Sequence, residues 1–511
     1  MTTAPQLGPT ASDGRFITGV VSADQPCALR PASVTLRLQA ITAVHRNDSA
    51  VLNRSEGDID RKHCERANRD NLSTKSLRKQ VNRILYFFFA FSPSITLPPN
   101  LHSQNTASSM NTLIYTNEYP PYNYGGAGVH VEYLTRELSK LKDVTVDVRC
   151  FGDQNAPNSP LKVKGYPDGT ETFSAPKHLH SIFNSAQRAI DFNTDGNQAD
   201  VVHCHTWYTH LAGIVSKLNY GIPLVITGHS LEPLRPWKRE QLAGGYDFSC
   251  WVERTALEMA DAVIAVSEGT KNDILKHFSV NQDKVHVIYN GIDTEEYKPV
   301  DASPVLSKYK IPQDKPYVLF VGRITRQKGI IHLVEAIKYM HPGYNIVLCA
   351  GAPDTEAIAQ EMKAAVDSAQ KQREGIYWID DMVGKSDIIQ LYSGAAVFCC
   401  PSIYEPFGII NLEAMACETP VVGSMVGGIP EVVIHDETGL LVPVARQKES
   451  PFNPLHPKSF AQDLAHQINR LMEDPAKRRK FAIAGRKRAV EMFSWSSIAQ
   501  QTSQLYSSLT R

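Results

Sequence analysis

From Met110 onward, short apolar, β-branched runs alternate with longer amphipathic stretches, and no other feature of the 511-residue chain limits its fold so tightly. A strand covered on both faces reads as a continuous apolar run, whereas a covering helix shows a 3.6-residue period; their alternation marks parallel α/β sheets. Candidate strands fall at Leu113–Thr116, Val144–Cys150, Val201–Cys204, Leu224–Thr227, Ala262–Val266 and Val285–Tyr289. A second series follows at Tyr317–Val321, Ile346–Ala350, Ile376–Ile379, Ala395–Cys399, Pro420–Val422 and Gly439–Val442. Two doubly wound α/β halves are predicted, 110–300 and 301–490, with the break in Asp293–Pro316, where prolines and charges interrupt the periodicity. A C-terminal helix at 491–511 is expected to return to the first half. Open parallel sheets bind ligands beyond the carboxyl ends of their strands, so two such sheets are expected to face one interdomain cleft.

Residues 1–109 read differently. They lack sustained periodicity and are expected to be a disordered leader. No Met lies between Met1 and Met110, which leads to the expectation that Met110 is the native start; a targeting segment is the alternative. The whole chain carries 53 Lys plus Arg and 53 Asp plus Glu, but residues 1–109 hold 13 basic against 8 acidic, leaving 40 against 45 for the body. A mildly acidic body argues against nucleic acid or an anionic membrane surface as partner. The apolar run Ile84–Phe91 is too short for a membrane span, which needs roughly 18 to 20 residues. Nine Cys without a regular framework suit reduced thiols and a cytoplasmic protein.

Three segments carry chemistry. After the first strand, Glu118 to His130 ends in Gly125, Gly126 and Gly128 before an amphipathic helix expected at Val129–Leu141. Backbone amides there can approach an anion, or the glycines simply serve a loop with positive φ. A dinucleotide fingerprint is excluded, because Val131 stands where its third glycine belongs. The second series opens with a strand, Gly322, Arg323, Arg326, Lys328 and Gly329. Cations at a strand end suit a diphosphate, a solvated basic loop being the alternative; no Gly-Lys-Ser/Thr closes a P-loop. In the third segment, Glu405 stands just before Pro406-Phe407-Gly408, and Glu413 about a turn and a half into a helix predicted to begin near Gly408. Carboxylates for sugar hydroxyls then sit beside the free amides of Gly408 and Ile409, unless the two are unrelated surface glutamates.

With these motifs the chain resembles the retaining glycosyltransferases of the two-domain GT-B fold, built from two Rossmann-like domains. More narrowly it is similar to bacterial glycogen synthases that use ADP-glucose, including the subgroup that makes maltose 1-phosphate. The likeness also rests on His203-Cys-His-Thr-Trp207, Thr227-Gly-His-Ser230 and Asn290-Gly-Ile-Asp293, and spans Met110 to the C-terminus.

The resemblance implies that Arg323 and Lys328 neutralise the diphosphate of a nucleotide sugar, and that Glu405 faces the donor glucose. Gly322, Gly408, Ile409 and Ile410 would line the phosphate and sugar, and Glu413 would hold the ribose. His229 would lie near the glucose 6-hydroxyl, and Gly126 and Gly128 would bring amides to the phosphate and acceptor side. Thr206 stands where many glycogen synthases carry an acid, so no acid is assigned there. The acceptor would be a glucan or a sugar phosphate, with no cofactor. No metal is expected, since the body has no Asp-x-Asp and no further ligand spaced near His203 and His205. Trp207, Tyr208 and Trp237 are read as sugar-stacking or core aromatics. The rival readings are another retaining transferase of sucrose or envelope-mannosyl type, a sugar-nucleotide epimerase, and a non-catalytic glucan binder.

Overall fold

A computed structural model describes residues 109–510 apart from 124, 169–172, 382 and 450. The expectations for the leader therefore lie outside the described residues, save residue 109. The first sheet contains β1 (Met110–Thr116), β2 (Val144–Phe151), β3 (Asn155–Ala156), β4 (Leu161–Tyr166), β5 (Val201–His205), β6 (Leu224–Gly228), β7 (Ala262–Ala265) and β8 (Val285–Val287). Its order is β3-β4-β2-β1-β5-β6-β7-β8, parallel except for the β3–β4 pair. The second sheet contains β9 (Tyr317–Arg323), β10 (Asn345–Gly351), β11 (Ile376–Ile379), β12 (Val397–Cys400), β13 (Val421–Ser424) and β14 (Gly439–Val442). It is parallel, in the order β11-β10-β9-β12-β13-β14.

Every predicted strand is present, β11 and β14 with the predicted ends and the others with shifted ones, because the central strands are buried on both faces: all five residues of β5 and of β6 are buried. Fully burying one Val or Leu side chain stabilises by about 1.5 to 3 kcal/mol, enough to impose strand structure on such runs. β4 escaped prediction because it lies toward the sheet edge with only Val163 and Tyr166 buried, so its lysines break the apolar run.

Helix α1 (Gly126–Leu138) starts three residues before the expected Val129. The Glu118 carboxylate accepts a hydrogen bond from the Gly125 amide at 2.7 Å and anchors that start. None of Gly125, Gly126 and Gly128 has positive φ, so a left-handed loop is not why they are glycine.

Helix α2 (Trp207–Tyr220) follows β5, and α3 (Glu268–His277) follows β7. Helix α4 (Ile409–Ala416) follows β12 and opens at Gly408, whose φ of +92° strains any side chain. The final helix, α5 (Trp495–Leu509), packs on α1, with the Trp495 ring stacked on Tyr133 at 5.7 Å. The Ile292 amide donates to the Phe493 carbonyl at 2.7 Å, so two chain segments between the sheets run side by side. Among the described residues no helix is long and apolar enough to cross a membrane.

Candidate active site

Winding reverses between β1 and β5 in the first sheet and between β9 and β12 in the second. At such switch points the loops leave in opposite directions and open a crevice. A cavity of about 810 Å³ lies there, lined from both halves. Gly126, His229, Gly322, Arg323, Lys328, Glu405, Gly408, Ile409 and Ile410 all line it. Gly128 and Glu413 do not.

Lys328 reaches Glu405 because two loops are stitched together. The Ile403 amide donates to the Gln327 carbonyl at 2.9 Å, and Gly329, at φ +62°, lies so close to the Pro401 carbonyl that an added Cβ would come within 2.1 Å of its oxygen. Lys328 Nζ then donates to Glu405 Oε2 at 2.7 Å, and Ser402 Oγ donates to the same oxygen at 3.1 Å. Burial pulls the Lys328 pKa down, but the Glu405 charge and hydrogen bond outweigh it and hold the ammonium above its usual value. Arg323 Nη1 donates to Asp354 Oδ1 at 2.8 Å, on the loop after the neighbouring strand β10. Arg326 instead pairs with Glu361 at the surface and does not line the cavity.

The starts of α1 and α4 face one another here: a Cβ on Gly126 would lie 3.8 Å from Ile409 Cγ2. Helix starts present free amides and a partial positive charge, suited to phosphate.

The chain matches the family model for Glycosyltransferase Family 4 over residues 124–296 and that for Glycosyl transferases group 1 over residues 305–451. It is 47% identical over 401 residues to an alpha-maltose-1-phosphate synthase from Mycolicibacterium smegmatis, covering 78% of this chain and 99% of that protein. The chain belongs to the GT-B glycosyltransferases. It is 27% identical over 423 residues to a glycogen synthase from Mycobacterium tuberculosis, covering 78% of this glycosyltransferase and 94% of the relative. A sucrose-phosphate synthase structure from Thermosynechococcus elongatus superimposes with a TM-score of 0.65 at 25% identity, covering 78% and 99% of the two chains.

Two predicted site residues of the glycosyltransferase sit behind the cavity wall. A Cβ on Gly128 would come within 2.8 Å of Glu118 Oε2, so this glycine makes room for the loop that caps α1. Glu413 is buried in the second turn of α4, where Tyr392 OH donates to its Oε2 at 3.0 Å. Burial pushes its carboxyl up to about 7, against the opposing hydrogen bonds of Tyr392 and Tyr297.

Beneath the first half of the cavity lies a histidine cluster. His130, His205 and His229 place ligand-type atoms within 4.8 Å of one another. Spacing around His203 and His205 in the sequence does not reveal it, because α1 and the loop after β6 supply His130 and His229. Three of their nitrogens are paired: His205 Nδ1 and His229 Nε2 are 2.9 Å apart, and His130 Nδ1 is 2.7 Å from Asn290 Oδ1, while His205 Nε2 is buried without a hydrogen-bond partner. His203 bonds Tyr506 OH at 2.6 Å and Thr227 Oγ1 at 2.7 Å. Burial lowers His130 to about 4 and holds His203, His205 and His229 well below their usual value, the neighbouring rings adding to it. These are neutral, hydrogen-bonded rings that set the position of His229.

Thr206 is also unusual. Its φ is +65°, costly for a β-branched residue, and its Oγ1 donates to Asn117 Oδ1 at 2.7 Å beside the cavity. Trp207 and Tyr208 stack at 4.1 Å and line the cavity, whereas Trp237 packs in the core of the first half. Sequence reasoning passed over Asp354, Ser402, Arg235 and Lys238. The last two follow Ser230 closely and repeat the clustered-cation signal of Arg323 to Lys328, interrupted by Pro236.

Proposed function

We propose that this glycosyltransferase moves glucose, with retention, from ADP-glucose to the 4-hydroxyl of glucose 1-phosphate, forming maltose 1-phosphate. The observation that carries the reading is the pairing of Lys328 with Glu405 and of Arg323 with Asp354 at one rim of the cleft. That the 47% identical relative is an alpha-maltose-1-phosphate synthase supports the product. An α-1,4-glucan acceptor is the second reading, favoured by the relative named glycogen synthase; UDP-glucose is the alternative donor.

In the proposed reaction the acceptor O4 bonds to the donor C1 on the face from which the diphosphate departs. The C1–O bond breaks with its electron pair passing to the phosphate oxygen, and the O4 proton passes to the leaving diphosphate. Arg323 and Lys328 stabilise the charge that grows on that group, and their carboxylate partners fix them beforehand. Glu405 and the amides at the start of α4 hold the donor sugar. These two cations take the place of a metal, so undiminished turnover in a strong chelator is expected. The reduced thiols among the described cysteines support a cytoplasmic site of action.

The test is to incubate the full chain with ADP-glucose or UDP-glucose, each with glycogen or glucose 1-phosphate, and to follow nucleotide release and the anomeric configuration of the product. Maltose 1-phosphate with an α linkage from ADP-glucose is the expected outcome. No turnover in any of the four mixtures would overturn the reading.

A further inference from the structure

A second pair of cations lines the same cavity from the first half of the chain. Arg235 and Lys238 lie on the segment after β6, and their side chains are only 14% and 12% exposed. They share one carboxylate, Glu232. Arg235 Nη1 is 3.5 Å and Lys238 Nζ 3.6 Å from Glu232 Oε1, at ion-pair rather than hydrogen-bond distance. The other oxygen of Glu232 already accepts from Ser249 Oγ at 3.0 Å.

A second carboxyl, Glu253, does not balance the charge. It accepts from the Glu232 amide at 2.7 Å, and burial together with the Glu232 charge pushes its pKa well above the carboxylate range. Two half-buried cations therefore face one counter-charge. Arg235 is held in place by donating to Ser230 Oγ at 3.0 Å. Burial depresses the Lys238 pKa, and the charges of Arg235 and Arg323 depress it further, so Lys238 lies within the field of the cation assigned to the donor diphosphate. Gln241 Nε2, one turn beyond Lys238, donates to the carbonyl of Asp354, the residue that holds Arg323, at 3.2 Å.

Beside this pair the stacked Trp207 and Tyr208 offer an aromatic wall, with Lys238 Nζ 5.9 Å from the Tyr208 ring. An aromatic face next to desolvated cations fits a sugar bearing a phosphate. A neutral glucan would leave both cations short of counter-charge, and a site built for a charged partner rejects the analogue that lacks it.

We propose that Arg235 and Lys238 bind the phosphate of a sugar-phosphate acceptor and so select it over a neutral glucan. The inference rests on the glucosyl-transfer reading of this cavity and deepens it by naming the groups that choose the acceptor.

The experiment compares the full chain with Arg235→Gln, Lys238→Gln and Lys238→Arg. Initial rates are taken with ADP-glucose and varied glucose 1-phosphate, in parallel with glycogen, and ADP binding is followed by calorimetry. Each Gln variant is expected to raise KM for glucose 1-phosphate at least ten-fold, with a smaller change in kcat. Lys238→Arg is expected to recover most of that loss, and the ADP dissociation constant to stay within two-fold throughout. A merely structural role would move ADP binding and melting temperature together with KM.

The proposal is overturned if KM for glucose 1-phosphate stays within two-fold in both Gln variants. It is also overturned if ADP affinity falls in parallel, since the cations would then belong to the donor site. A wild-type chain that extends glycogen but ignores glucose 1-phosphate leaves glucosyl transfer standing and sinks this assignment alone. A chain that turns over neither acceptor with either donor sinks both.

Discussion

Lys328 Nζ lies 2.7 Å from Glu405 Oε2, so the cation assigned to the leaving diphosphate is positioned by the carboxylate assigned to the donor sugar. The two residues come from different loops, and Ser402 Oγ at 3.1 Å fixes the shared oxygen from the other side. One contact thus aligns both parts of the proposed donor site.

Lys328→Ala should lower kcat by 10²- to 10³-fold, about 3 to 4 kcal/mol, by analogy with the loss of one donor to a developing anion. Lys328 is held above its usual value, so it stays charged through neutral pH, and its share of stability fades only as pH rises past about 10.5. The rate profile between pH 6 and 9 should therefore show no step from this group. Steady-state kinetics of wild type and variant check both points, and near-normal turnover in the variant would refute the role.

Glu413 makes a stability prediction with the same sign of slope, but in a lower pH window. Its folded pKa of about 7 lies above the ordinary 4.5, so the native state keeps the proton longer than the unfolded chain does. Stability should fall as pH rises from about 4.5 to about 7, by an amount on the order of 3 kcal/mol. Glu413→Gln should match wild type near pH 4.5 and exceed it increasingly up to pH 8. Denaturant unfolding across that range decides it, and a difference that does not vary with pH would count against the buried, protonated carboxyl.

The histidine cluster governs the acid side. His130 titrates at about 4 when folded against 6.5 when free, so its neutral form favours the native state above 6.5, and that contribution is lost as pH falls toward 4. The loss from His130 alone is on the order of 3 kcal/mol, with His203, His205 and His229 steepening it. Unfolding free energies at pH 7 and 4.5 should differ less in His130→Gln than in wild type.

The two halves are also joined by a capping contact. Glu431 accepts from the amides of Glu268 and Gly269 at 2.9 and 3.0 Å, at the start of α3, while Ser267 Oγ donates to the Pro406 carbonyl at 2.6 Å. Glu431→Ala should cost about 1 kcal/mol, as for the loss of a helix N-cap, and Glu431→Gln about half. Chemical denaturation measures the first effect. Because Pro406 follows Glu405 directly, the donor KM should rise in Glu431→Ala.

The two parallel sheets were legible in the chain because continuous apolar runs such as Val201–Cys204 leave burial on both faces as the favourable outcome. The cavity-lining residues Arg323, Lys328, Glu405 and Gly408 were legible because they follow such runs, and strand ends are where open sheets expose their loops. The half-exposed β4 was not, because its alternation is masked by lysine.

Sequence order alone determined which residues reach the strand ends, since that depends on local periodicity. Tertiary structure decided their partners: Asp354 for Arg323, Glu405 for Lys328, and Tyr506 for His203 across 303 residues of chain. It also decided that Glu413 is buried under Tyr392 and that His130 joins His205 and His229. The physical reason is that desolvation and charge pairing depend on distances in space, and those exist only once loops far apart in the chain have packed together.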